Sequence, residues 1–229
     1  MSDLEYIDRP SPNHDARPEG QAIDTLILHY TGMESGEAAL ARMCDAEAKV
    51  SAHYCVEEDG RVFVLVPEDR RAWHAGVALW QGESDINARS IGIEIVNPGH
   101  EFGYRPFPPA QMLALKTLCL DILTRQPIPP ARVLGHSDVA PLRKEDPGEL
   151  FDWPGMAASG IGIWPEDSTA AVLESAVALA LKRIGYGYTE EDLPAVIRAF
   201  QRHYRPRAVT GSADAETRRR LAALLAVID

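Results

Sequence analysis

Residues 23–31 read Ile23-Asp24-Thr25-Leu26-Ile27-Leu28-His29-Tyr30-Thr31, a short β-rich run that ends in an imidazole and other polar groups. A second run, Ile91-Gly92-Ile93-Glu94-Ile95-Val96-Asn97, sets a carboxylate among β-branched residues. Such a carboxylate is out of place unless the end of the strand faces a site. A third run at 131–135 delivers His136. Between them, residues 35–45 have helical spacing with Ser35 placed to cap it. Residues 109–125 form an amphipathic pattern, apolar at Met112, Leu115, Leu118, Cys119 and Ile122. Residues 52–66 read as a hairpin turning at Glu58-Asp59-Gly60. Strands interleaved with helices predict an α/β domain, a mixed central β-sheet flanked by helices.

The remaining segments are less regular. Residues 1–20 are polar and rich in Pro and Gly, which predicts a surface coil. Residues 67–89 lack periodicity but hold Trp73, His74 and Trp80, and long irregular segments in compact domains are often functional. Residues 137–155 read as loop, and helix is expected again over 169–184. The register changes at Gly185-Tyr186-Gly187-Tyr188. Two further helices are expected, at 189–204 with Thr189 as cap and at 214–228 with a seam of Leu221, Leu224 and Leu225. The chain therefore divides into a domain at 1–182 and a small three-helix module at 183–229, whose roughly 45 residues are near the lower limit for independent folding.

Composition narrows the function classes. With 45% hydrophobic and 25% charged residues among 229, the chain has an ordinary globular composition. A balance of 23 basic against 34 acidic residues, net −11, argues against nucleic acid as a partner, because phosphate binding needs a basic face. Cys44, Cys55 and Cys119 are scattered and odd in number, so they read as small buried hydrophobes rather than a disulfide framework. No stretch is long and apolar enough for a transmembrane segment. The first residues show no export signal, so a cytoplasmic location is expected as the chain is written; a periplasmic or wall location would require a signal ahead of it.

Four acidic and imidazole side chains stand out: His29, Glu94, His136 and Asp146. Taken singly, His29 can be a hydrogen-bonded strand-end residue, Asp146 a turn residue before Pro147-Gly148, and Glu94 a buried ion-pair partner. Taken together, two imidazoles and a carboxylate are the ligand types of a hydrolytic zinc site that leaves a fourth position for water. A nearby carboxylate then serves as general base. Lys144, two residues before Asp146, shares its side of an extended backbone and can approach an oxyanion. His53 reads as a structural residue near the site and His74 with Trp73 as either core or a substrate platform. Asp138 and Asp152 read as loop organisers, and His14, His100 and His203 as surface residues.

Six ordered motifs carry a resemblance over roughly residues 23–164. They are Leu28-His29-Tyr30-Thr31, Val50-Ser51-Ala52-His53-Tyr54, Arg71-Ala72-Trp73-His74-Ala75-Gly76, Ser90-Ile91-Gly92-Ile93-Glu94-Ile95, Gly135-His136-Ser137-Asp138-Val139-Ala140-Pro141 and Arg143-Lys144-Glu145-Asp146-Pro147-Gly148. The region resembles the zinc-dependent N-acetylmuramoyl-L-alanine amidases of type 2, which share a fold with peptidoglycan recognition proteins. The resemblance implies that His29, His136 and Asp146 bind Zn, that Glu94 handles the proton, and that Lys144 steadies the tetrahedral intermediate. Tyr30, Trp73, His74 and Asn97 are the substrate-binding residues expected beside them. The end of the chain resembles the three-helix peptidoglycan-binding domain of cell-wall hydrolases, through Ala199-Phe200-Gln201, Gly211, Asp214, Thr217 and Leu221.

The implied reaction is cleavage of the amide between N-acetylmuramic acid, ordinary or 1,6-anhydro, and L-alanine of the stem peptide, in wall turnover or muropeptide recycling. The partners implied are peptidoglycan or its fragments. Two other readings stay open at this point: a non-catalytic muropeptide sensor of the same fold, and a zinc peptidase acting within the stem peptide. The missing export signal favours soluble anhydromuropeptides, whereas the helical module favours polymeric peptidoglycan.

Overall fold

The run at 25–30 is a strand buried on both faces, and the rest of the fold is arranged around it. In the computed structural model, which describes residues 4–228, the chain begins with β1 (Tyr6–Asp8), β2 (His14–Ala16), β3 (Thr25–Tyr30) and α1 (Gly36–Cys44). It continues through β4 (Tyr54–Val56), β5 (Val62–Val64), β6 (Arg70–Ala72), α2 (Ile86–Arg89) and β7 (Ser90–Ile95). Then come α3 (Gly99–Phe102), α4 (Pro109–Arg125), β8 (Val133–Gly135), α5 (His136–Val139) and α6 (Trp153–Ala157). The chain closes with α7 (Val177–Ile184), α8 (Leu193–Tyr204) and α9 (Ala215–Ile228).

The main sheet has the order β1-β5-β4-β7-β3-β8, and β2 pairs with β6 in a separate ribbon. Within the main sheet only the hairpin β4–β5 is antiparallel; every other pair is parallel. Alternation along the central strands sorts side chains into two layers. Leu26 and Leu28 of β3 and Ile91, Ile93 and Ile95 of β7 pack against Leu115, Leu118, Cys119 and Ile122 of α4. Ile27 and Leu134 face the other way, into a core shared with Val196 and Phe200 of α8 and Leu221 and Leu224 of α9. The helical module and the sheet are thus joined by one continuous apolar layer.

Several expectations hold: α1 begins after the Ser35 cap, α4 spans the predicted residues, and the hairpin forms where expected. Others need correction. The surface coil expected at 1–20 contains β1 and β2, β1 covering the otherwise open edge of β5; residues 1–3 lie outside the described residues. The helix expected from 169 begins only at a 3-10 turn, Glu174–Ala176, followed by α7, because Val172 N–H donates instead to Arg218 O of α9. The helix expected from Thr189 starts at Leu193, capped by the Asp192 side chain on Ala195 N–H. The boundary placed between 182 and 183 falls inside α7, a helix that packs against α9. The predicted loop at 137–155 carries most of α5, which begins at His136, and the first residues of α6.

Candidate metal centre and active site

Strand register brings the candidate residues together. His29 is next to last in β3 and lies opposite Glu94 of β7, while Leu28 pairs with Gly135 at the end of β8. His136 is the first residue beyond β8. The carboxyl ends of parallel strands are where open α/β sheets place their sites. The layer that holds Ile27 also holds His29, since side chains two apart share a face. Asp146 arrives from the loop after α5, tied by its carbonyl, which accepts from Ser137 N–H at 2.9 Å.

Three donor atoms converge. His29 Nδ1 and His136 Nδ1 are 2.9 Å apart, and Asp146 Oδ2 lies 3.1 Å from the first and 3.0 Å from the second. All three side chains are buried. Their surroundings fix which ring nitrogens carry protons. The Ser90 hydroxyl donates to Ile86 O at 2.6 Å, so it accepts from His74 Nε2–H at 3.1 Å. His74 Nδ1 is then the acceptor for His29 Nε2–H at 3.0 Å, which leaves a lone pair on His29 Nδ1. His136 Nε2–H donates to Ala75 O at 3.0 Å, leaving its Nδ1 bare as well. Two imidazole lone pairs and a carboxylate oxygen facing one another are a donor set for a cation, and the N2O combination suits a divalent metal. Among the described residues, His29, His136 and Asp146 form a site that can hold a metal ion, their ligand atoms all within 4.8 Å of one another.

The electrostatics agree with that reading. Burial drives the His29 pKa down to about 4, with His136 pushing the same way, so the ring is neutral. Glu94 is pushed the other way, first by burial and then by the Asp146 charge, with Lys144 opposing. Glu94 Oε2 is buried without a hydrogen-bond partner, which leaves it free to take a proton.

A cavity of about 190 Å³ opens onto these groups, lined by Tyr30, His74, Glu94, His136, Lys144 and Asp146 among others. A second of about 300 Å³ shares Tyr30, Lys144 and Asp146 with it and extends past His100 and Arg143. A larger groove, about 490 Å³, runs along the seam between residues 79–82 and 182–191 and contains none of the converging side chains.

A family described as N-acetylmuramoyl-L-alanine amidase matches residues 19–149. The chain belongs to that family. It is 38% identical to N-acetylmuramoyl-L-alanine amidase AmiD of Escherichia coli, over 92% of this chain and 87% of that one. The structure of that amidase in complex with the substrate anhydro-N-acetylmuramic acid-L-Ala-D-gamma-Glu-L-Lys superposes with a TM-score of 0.82, at 37% identity and 92% coverage of each chain. The 1,6-anhydro-N-acetylmuramyl-L-alanine amidase AmpD of Enterobacter cloacae is 36% identical over 63% of this chain and 84% of its own. The mixed α/β fold is the fold of the family's solved members. Among the described residues, no helix is long and apolar enough to cross a membrane.

The expected site residues divide by position. His136, Asp146, Glu94, Lys144 and Tyr30 line the cavities, and His29 lies behind them, in contact with His136 and Asp146. His74 lies at the cavity wall but is buried, its ring engaged by His29 and Ser90 rather than presented as a platform. Trp73 and Asn97 line neither cavity. Asn97 is fully buried, its side chain spent on Arg105 O and Gly99 N–H, so its substrate-binding reading gives way to a structural one. His203, expected at the surface, is buried on Asp138. Sequence reasoning missed the Ser90–His74 chain; Ser90 and His74 sit in separate motifs, and the one available signal was Gly92, whose missing side chain makes room for the His74 ring.

Proposed function

We propose that the chain is a zinc-dependent amidase that hydrolyses the bond between N-acetylmuramic acid, in ordinary or 1,6-anhydro form, and L-alanine of the stem peptide. The observation that carries this is the convergence of two deprotonated imidazole nitrogens and Asp146 Oδ2 at 2.9–3.1 Å, in a cavity that Glu94, with its Oε2 buried and unpartnered, also lines. The substrate class is supported by AmiD and its substrate complex, similar to this chain over 92% of both.

His29, His136 and Asp146 would hold the zinc. When bound, it supplies Lewis acidity and lowers the pKa of water at its open position. Glu94 takes the proton of the attacking water; its buried, proton-seeking carboxyl is suited to hold that proton and return it to the departing alanine nitrogen. The Lys144 ammonium meets the negative charge that grows on the carbonyl oxygen. Tyr30 stands at the rim shared by both cavities, where its ring can flank the substrate.

Elemental analysis of the purified protein should give one zinc per chain, and mass spectrometry of a muropeptide digest should give the intact stem peptide. A shortened stem would indicate a peptidase, and binding without cleavage a sensor.

A further inference from the structure

Three donors converge on the fully buried carboxylate of Asp138, the third residue of α5. Its Oδ2 accepts from Gly135 N–H and His203 Nδ1–H, each at 2.7 Å, and its Oδ1 from the Tyr186 hydroxyl at 2.6 Å. Two of these three come from the C-terminal helices: Tyr186 lies just past α7 and His203 belongs to α8. The His203 ring is held flat between Trp153, 3.7 Å away at 18°, and Tyr204, 3.9 Å away at 2°. Next to it on α8, Arg202 ion-pairs with Glu145, the residue before Asp146. One turn of α8 therefore touches both ligand-bearing segments.

A buried carboxylate needs its donors; removing one leaves a charge short of solvation, and the chain carrying it shifts to recover water. Here that chain begins with His136, and its Ser137 N–H reaches Asp146 O. Ligand atoms must be held within about 0.5 Å to keep their geometry. We propose that the C-terminal helices are a positioning part of the metal centre: Tyr186 and His203, acting through Asp138, and Arg202, through Glu145, hold His136 and Asp146 in ligating register. This rests on the metal-site reading above. A module that served only to bind glycan would leave metal affinity indifferent to these contacts.

The test uses full-length Tyr186→Phe, His203→Leu, His203→Asn and Arg202→Met. Three quantities are read: zinc Kd by chelator competition, kcat and KM, and amide hydrogen exchange at Gly135 and Ser137 in metal-free protein. Tyr186→Phe and His203→Leu should each weaken zinc binding about tenfold or more. They should lower kcat with KM little changed and speed exchange at Gly135 and Ser137, but not at Leu28 or Ile93. Arg202→Met should act in the same direction. His203→Asn, which keeps a side-chain N–H, should recover part of the loss. Unchanged zinc Kd and unchanged Ser137 exchange in Tyr186→Phe would overturn the proposal. That variant removes a single oxygen, so it decides the matter even if His203→Leu does not fold. If the wild-type chain binds no zinc, the metal reading fails, and the exchange rates still report whether these contacts hold α5.

Discussion

His29 Nε2 and His74 Nδ1 lie 3.0 Å apart, and this contact decides which nitrogen of His29 faces His136 and Asp146. Without His74 the His29 ring is free to rotate or to move its proton to Nδ1, where it blocks coordination. His74→Leu is expected to reduce zinc affinity about 10- to 100-fold. Ser90→Ala should act in the same direction with a smaller effect, because it removes only the acceptor behind His74. Competition against a chromophoric chelator measures both, and unchanged affinity in His74→Leu would show that packing alone orients His29.

Gly92 makes the same point from the backbone. A Cβ there would lie 2.4 Å from His74 Cγ, so the ring must move to admit it. Gly92→Ala is therefore expected to weaken zinc binding, although residue 92 contributes no ligand. Zinc titration of the purified variant, set beside that of His74→Leu, should show losses of similar size.

Glu94→Gln and Lys144→Ala should separate chemistry from metal binding. Neither is among the three converging ligands, so zinc content should stay at one per chain. Glu94→Gln removes the proposed proton acceptor and should lower kcat about 100-fold or more. Lys144→Ala removes the charge proposed to meet the oxyanion and should cost kcat by about 100- to 1,000-fold. Near-normal turnover of either variant on a muropeptide would remove that residue from the mechanism.

The central strands and the candidate ligands were legible because each leaves a local mark. A histidine ending an apolar run, a glutamate inside one, and Asp146 before Pro-Gly can be read from neighbours one or two residues away. Whether His29 and Glu94 share a face was not readable, since it depends on β3 and β7 pairing in parallel with those two residues opposite. The supports of the site were hidden for the same reason. His74 reaches Ser90 across 16 residues and His203 reaches Asp138 across 65, and a histidine in a helix gives no sign of which buried carboxylate it meets. Short β1 escaped notice because an edge strand of three residues, Tyr-Ile-Asp, has too little periodicity to register.

Gln111 tests how α4 is fastened to the sheet. Its side chain is fully buried, and Nε2 donates to Val56 O at 3.0 Å and Val96 O at 2.9 Å, at the ends of two neighbouring strands. Gln111→Ala leaves the Val96 carbonyl without its donor, whereas Val56 O keeps Val96 N–H at 2.9 Å, and should cost about 1–3 kcal/mol in urea unfolding. Leu113→Ala, two residues on but 60% exposed, should change stability by no more than about 0.5 kcal/mol.

His53 gives the fold a dependence on pH from a residue outside the candidate metal site. The ring is fully buried, and its Nδ1 accepts from Gly92 N–H at 3.0 Å, so the proton sits on Nε2 and is donated to Arg70 O at 3.1 Å. Burial, reinforced by the Arg17 guanidinium, lowers its pKa to about 3. The unfolded chain takes up that proton near pH 6.5, whereas the folded chain resists it until about 3. Between those values the unfolded state binds more protons, so stability falls as pH falls, at up to about 1.4 kcal/mol per pH unit from this group. His53→Gln removes the titration while keeping a polar side chain. Urea unfolding of both proteins at steps from pH 7 to 4.5 reads the contribution of His53 together with its smaller influence on His74. The stability difference should narrow steadily as pH falls; a constant difference would mean that His53 is as easily protonated in the folded protein as in the unfolded chain.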